Sequence, residues 1–261
     1  MARVEFDADL IACAQLVERG DPDRFAAIMA APPCARAVLF PIYAFNIEVS
    51  RAPWVTQETM IAEMRLQWWR DALEEIRSGG PVRRHEVVTP LARVLDGQGA
   101  ELLDALTEVR RWDIYRDPFG DMAHFRDYLA KTSGNLLLAA ARALGPVPDA
   151  VVRDAGYALG VANWLRAVPV LEQAGRVPLI EGTADAVRDL AQEGLNSLAQ
   201  ARAGRKNIPA AARPAFLPMW QVGPILRMAV RDPARVADGT LELSPFRCRL
   251  GLMRTAITGR W

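Results

Sequence analysis

The chain has 261 residues, 51% of them apolar, with 32 basic against 31 acidic side chains and a formal net charge of +1. That length suits one sizeable domain, and the apolar share excludes extended disorder. The near-neutral balance excludes the strong positive field of a nucleic-acid binder, so no nucleic acid is expected as a partner.

The N-terminus carries acids early and lacks an apolar core, so no secretory signal is expected. Helices are predicted at 7–19, 22–31 and 34–51, the third bent by Pro41. The next takes Thr56 as cap and Gly79-Gly80 as stop, with Ile61, Met64, Trp68, Ala72 and Ile76 as its buried stripe. On that stripe Trp68 is core and Trp69 sits at a groove or interface. Further helices are predicted at 99–116, 122–143, 149–171 and 184–203, separated by Gly- and Pro-rich breaks of turn size. After residue 205 prolines interrupt an irregular helical portion, 206–261. The expectation is a single all-α domain over 1–261.

Cys13, Cys34 and Cys248 form no zinc or redox spacing, and His85 and His124 are isolated. The longest apolar run, 37–45, falls far short of the roughly 20 residues that span a bilayer. The expected location is the cytoplasm, with peripheral contact at the inner face of a membrane left open. The basic run Arg202, Arg205 and Lys206 reads as a solvated helix end, and less readily as a lipid-facing surface.

Two segments carry the chemistry. PCARAVLFPIYAFNIEVSRAPW (33–54) and GYALGVANWLRAVPVLEQAGRVPL (156–179) resemble the two substrate-facing helices of the squalene/phytoene synthase family. Pro33, Arg36, Tyr43, Phe45, Tyr128, Gly134, Asn163, Arg166, Gly175 and Arg176 fit the family's pattern, and the resemblance covers most of 15–205. It implies an isoprenoid-synthase helical bundle around a central cavity. Family members ionise an allylic diphosphate, and Mg²⁺ held by two Asp-rich motifs draws off the anionic leaving group. Here the first motif's Asp positions are Ser50, Arg51 and Trp54, and the second's are Ala167 and Leu171. Glu48 lies about 200° round the helix from Ser50 and is no substitute. Asp113, Asp117 and Asp121 have regular spacing, but Pro118 and Gly120 interrupt it, which makes Asp121 a helix cap.

The expectation is therefore a non-catalytic protein with no metal and no catalytic residue. Its ligand pocket is expected to be lined by Arg36, Tyr43, Glu48, Arg51, Asn163, Arg166 and Arg176. The bland alternative has these arginines paired with Glu48, Glu63 or Glu172. Segments Ala44–Glu48, Met64–Trp69, Leu165–Pro169 and Pro214–Leu217 resemble a branch of the family that includes a mitochondrial complex I assembly factor. That resemblance implies complex I subunits or assembly machinery as partners and an isoprenoid or lipid as ligand. Two alternatives stand beside it: a working Mg²⁺-dependent transferase using farnesyl or geranylgeranyl diphosphate, and a prenyl-lipid carrier.

Overall fold

The computed structural model describes residues 6–56 and 58–261; residues 1–5, the start of the segment read as lacking a signal, lie outside the described residues. All the regular secondary structure among the described residues is helical, with no strand among them. Helices α1 (Ala8–Gly20), α2 (Pro22–Met29) and α3 (Pro33–Arg51) come first. The carboxylates of Asp7 and Asp21 cap α1 and α2 by accepting from the Leu10 and Arg24 backbone N–H groups at 2.9 and 3.0 Å. Helix α3 runs on through Pro41, which can supply no N–H to the ladder.

Helix α4 (Thr59–Ser78) ends at Gly79 with φ of 68°, the left-handed stop expected from Gly79-Gly80. Its buried stripe differs from the expected one. Ala62, Leu66, Trp69, Ala72, Leu73 and Ile76 face inward, whereas Ile61 and Met64 are exposed. The two stripes agree at Ala72 and Ile76 and diverge toward the N-terminus, because steps of three or four starting from Ile61 rather than Ala62 follow a neighbouring face of the helix. The Trp pair is accordingly reversed. Trp69 is buried edge-on against Phe45 at 5.3 Å. Trp68 is half-buried beneath the Arg83 guanidinium (4.8 Å) and beside His85 (5.1 Å).

A short α5 (Val88–Ala92) leads to α6 (Gly97–Val109) and the single turn α7 (Trp112–Tyr115). The helix expected over 99–116 is thus broken near Arg110. Helix α8 (Met122–Leu129), capped by Asp121 as expected, passes into a π-turn at Ala130–Gly134 and then α9 (Asn135–Leu144). The continuous helix expected over 122–143 therefore carries one wide turn.

The 25-residue α10 (Asp149–Gln173) is buried on most sides and forms the centre of the bundle. It is flanked by α9, the π-turn, α11 (Ala184–Gly204) and α12 (Val222–Arg231), the last two joined through the 3₁₀ segments Arg205–Asn207 and Arg213–Gln221. The short α13 (Ala234–Ala237) and α14 (Pro245–Thr258) complete the chain. One contiguous apolar core extends from Cys13 to Trp261.

Helix α10 meets the π-turn at backbone distance. A Cβ on Gly156 would lie 2.7 Å from Gly134 Cα, and one on Gly160 would lie 3.0 Å from Ser133 Cβ. Backbone cannot swing aside as a side chain can. Gly156→Ala is expected to destabilise the protein by about 1–3 kcal/mol, the usual range for overpacking, as measured by urea denaturation.

Candidate functional site

At the middle of the bundle lies an open cavity of about 820 Å³, within the size range of sites that enclose small ligands. From α3, Asn46 and Ser50 face it, and Trp54 follows just beyond the helix end, in the i, i+4, i+8 order of one helix face. From α10, Leu159, Asn163, Ala167 and Leu171 do the same, with Gly160, Trp164, Arg166 and Val170 beside them. The two segments singled out in the sequence therefore converge on one cavity.

Of the seven expected pocket residues, Asn163 and Arg166 line the cavity. The other five do not. Arg36 is half-buried and donates through Nε to the Ala31 carbonyl at 2.8 Å. Tyr43 is fully buried beneath the Arg24 guanidinium, 4.7 Å from its ring centroid. Glu48 and the exposed Arg51 fall off the cavity face, since one residue step turns a helix by about 100°. Arg51 consequently does not place its charge where the family's ion would sit. Arg176 is buried against the cavity's flank, 4.4 Å from the Trp54 ring centroid. Among the described residues, no ion pair joins Arg36, Arg51, Arg166 or Arg176 to Glu48, Glu63 or Glu172. Glu63 instead pairs with Arg111 at 2.8 Å.

Among the described residues, the cavity's carboxylates are Asp21, Asp23 and Asp113, and its cations are Arg24, Arg110 and Arg166. Each carboxylate is already paired. Arg24 meets Asp21 at 3.2 Å. Arg166 (3.1 Å) and the Gln221 amide (3.2 Å) both donate to Asp23 Oδ2, tying α2 to α10 and to the 3₁₀ segment. Asp113 is the most enclosed. Its carboxylate accepts from Tyr128 Oη at 2.9 Å and from Arg110 Nη1 at 3.0 Å. Arg110 Nη1 also donates to Tyr128 Oη at 2.9 Å, and Arg176 donates to the Asp113 carbonyl. The break between α6 and α7 turns Asp113 into this network.

Burial raises the Tyr128 hydroxyl's pKa well above the usual phenol value. Burial works against the charge on Arg110, but Tyr128 and Asp113 outweigh it and raise its pKa. Arg176, with less compensation for its burial, is lowered. The Nε atoms of Arg24 and Arg110, and Nε and Nη1 of Arg176, are buried without a hydrogen-bond partner among the described residues. An unmet buried donor costs about 1–3 kcal/mol, so an anion reaching these groups would recover that cost.

The residues present do not suit Mg²⁺. The family's motif positions hold Ser50, Trp54, Ala167 and Leu171 on the cavity face, and Ser50 Oγ donates to the Ile47 carbonyl at 3.0 Å. Nor do Asp113, Asp117 and Asp121 assemble into a replacement. Asp113 is committed to Arg110, Asp117 lies in the exposed loop, and Asp121 caps α8 at 2.8 Å from the His124 N–H. Among the described residues, no group of three or more His, Cys, Asp or Glu side chains could hold a metal ion.

Sequence reasoning missed Arg24, Arg110, Asp23 and Gln221, which lie outside both motif segments. It also missed the aromatic cluster behind the lining residues Tyr128 and Trp164, where Trp112 stacks on Phe119 at 3.9 Å and Trp164 meets Phe119, Phe125 and Tyr128 edge-on within 5.6 Å. The density of aromatic residues between Trp112 and Tyr128 was the one available signal.

The helices arranged around this open cavity form an isoprenoid-synthase-type bundle. Solved structures share it: a dehydrosqualene synthase in complex with ligand superposes with a TM-score of 0.79, at 15% identity over 94% of both chains. The squalene synthase HpnC from Alicyclobacillus acidocaldarius gives 0.71 at 17% identity, over 89% of this chain and 97% of that one. The sequence matches squalene/phytoene synthase over residues 17–179, and the chain belongs to that family. Similar in sequence is NADH dehydrogenase (ubiquinone) complex I, assembly factor 6 of Bos taurus. It is 25% identical over 241 residues, spanning 78% of this chain and 69% of that one. The homolog from Drosophila melanogaster is 27% identical over 237 residues, spanning 78% and 70%.

Two outcomes follow from the buried network. Tyr128→Phe should cost about 1–3 kcal/mol in denaturant unfolding, because it leaves the Asp113 carboxylate short of a donor. The hydroxyls of Tyr43, Tyr128 and Tyr157 are all raised by burial. Their contribution to stability is whole below the free phenol value of about 10 and is lost as pH rises above it, because only the unfolded chain then gives up the protons. Stability should therefore fall with pH on the alkaline side. In a Tyr115→Phe variant, which removes the exposed tyrosine, tyrosinate absorbance at 295 nm should appear together with unfolding rather than before it.

Proposed function

We propose that this protein is a non-catalytic member of its family that serves the assembly or maintenance of respiratory complex I by holding an anionic isoprenoid or lipid in the central cavity. The observation that carries this reading is the state of the cavity's carboxylates. Asp21, Asp23 and Asp113 are each neutralised by arginine, and the family's metal-binding positions present Ser50, Trp54, Ala167 and Leu171. A leaving diphosphate needs mobile divalent charge to draw it off, and losing that Lewis acid costs several kcal/mol at the transition state. Binding makes no such demand. The apolar and aromatic walls suit a prenyl or acyl chain, and the unmet N–H groups of Arg24 and Arg110 suit a phosphate. The role in complex I is supported by the relatives named as complex I assembly factor 6.

The second reading, a Mg²⁺-dependent prenyl transferase, is supported by the open cavity and by the bundle shared with synthases. Incubation with farnesyl or geranylgeranyl diphosphate separates the two. No pyrophosphate release is expected with or without Mg²⁺, and Mg²⁺-dependent turnover would overturn the proposal. Geranylgeranyl phosphate should raise the melting temperature. Arg110→Gln and Arg166→Gln should each weaken its binding by about 10–100-fold, the worth of one charge-assisted hydrogen bond. Deletion of the gene should lower NADH:quinone oxidoreductase assembly, and the Arg166→Gln chain should restore it less well than the wild type.

A further inference from the structure

Helix α14 has two opposed faces. Cys248, Gly251, Leu252 and Thr255 turn inward, Leu252 packing with Leu217 and Gly251 lying against Trp220. On the opposite side Phe246, Leu250, Met253 and Ile257 are 72%, 47%, 55% and 77% exposed. Their i, i+4, i+7, i+11 spacing confines them to a sector about 60° wide, centred roughly opposite the inward face. Arg247 and Arg254 border this stripe on one side and Arg249 on the other. From residue 243 to 261 the sequence has four arginines and no acid, in a chain whose net charge is +1. An apolar ridge rimmed on both sides by arginine matches the boundary between acyl chains and anionic headgroups. A protein groove of mixed charge would not call for a rim of one sign.

The helix is also firmly seated. Ser244 caps its start by accepting from the Arg247 N–H at 3.4 Å. Just past its end, Trp261 stacks on Phe216 at 5.4 Å and its carbonyl accepts from Arg202 at 2.7 Å. Arg202, expected to be a solvated helix end, is thus half-buried and employed in anchoring this segment. The 3₁₀ segment Arg213–Gln221 beneath α14 supplies Pro218 and Gln221 to the cavity lining.

We infer that α14 is an in-plane anchor that lays its Phe246–Leu250–Met253–Ile257 ridge into an anionic lipid surface, seating the protein with the ligand cavity close to the bilayer. No helix among the described residues is long and apolar enough to cross a membrane, so this contact is interfacial. The proposal does not depend on what the cavity binds, and its test contains no cavity ligand.

The purified full chain is floated with vesicles of phosphatidylcholine alone and of phosphatidylcholine with added phosphatidylglycerol, in low and high salt. It is expected to float with the anionic vesicles, less so in high salt, and not with the neutral ones. The double variant Phe246→Ser/Ile257→Ser should bind more weakly by about tenfold for each anchor removed. Arg247→Glu/Arg254→Glu should abolish the preference for anionic vesicles. All four side chains are exposed, so unchanged circular dichroism and melting will show that these variants fold. The inference is overturned if the wild type stays with neither vesicle, or if the serine variant floats as the wild type does. It is equally overturned if light scattering shows a wild-type dimer that the serine substitutions make monomeric without any flotation, which would make the ridge an interface between two copies.

Discussion

The character of this molecule rests on how the negative charge around its cavity is satisfied. Asp113 lies inside the bundle with its carboxylate held by Tyr128 and Arg110 and its carbonyl by Arg176. Asp23 is shared by Arg166 and Gln221. A divalent ion entering here would have to displace a guanidinium that cannot shed its charge by deprotonation. It would then leave that arginine buried and unpaired, which is among the costlier defects a protein interior can contain. Arginine occupies the electrostatic role that ions hold in a metal-dependent site, but it is fixed to the wall. It can receive an anion and cannot travel with one. That difference separates holding a phosphate from expelling it.

The same pairings tie distant parts of the chain together. Asp23 and Arg166 join α2 to α10, and Gln221 brings the 3₁₀ segment to the same carboxylate. Arg110, Asp113, Tyr128 and Arg176 gather α6, α7, α8 and the turn after α10. The close approach of Gly156 to Gly134 allows α10 to run near enough to the π-turn for this gathering. Packing and charge are therefore one arrangement at the cavity, and the wide turn at Ala130–Gly134 belongs to it.

Local chemistry made much of the fold legible in the sequence. Gly79 and Asp121 act as a stop and a cap because each meets a need confined to one helix end. Periodicity alone placed α10 and α11 to within two residues. What it could not foresee was the interruption at Arg110 or the π-turn, since both are set by what lies across the bundle. The site divides in the same way. Spacing within a helix brought Ser50, Trp54, Asn163, Ala167 and Leu171 to one cavity, because a fixed period decides which face a residue occupies. Arg36 and Arg51 were expected there and sit elsewhere, their helical phase having carried them away. Arg24 and Arg110 were not expected, because their partners are Asp21, Asp113 and Tyr128, and Asp21 and Asp113 belong to neither motif segment.

The 3₁₀ segment Arg213–Gln221 connects the interior of this molecule to its surface. Pro218 and Gln221 turn to the cavity, while Leu217 and Trp220 support the inner face of α14. A lipid-like ligand is scarcely soluble in water, so a protein that holds one gains from taking it up where it already resides. An apolar ridge bordered by Arg247, Arg249 and Arg254 would provide such a contact, as inferred above for α14. One short element, the 3₁₀ segment, separates it from the cavity, so the transfer distance would be small. Under the two proposals, the arginines at the two places would act on the same chemical group in succession. Those of α14 would meet headgroups at a surface, and those of the cavity would meet a single headgroup withdrawn from it.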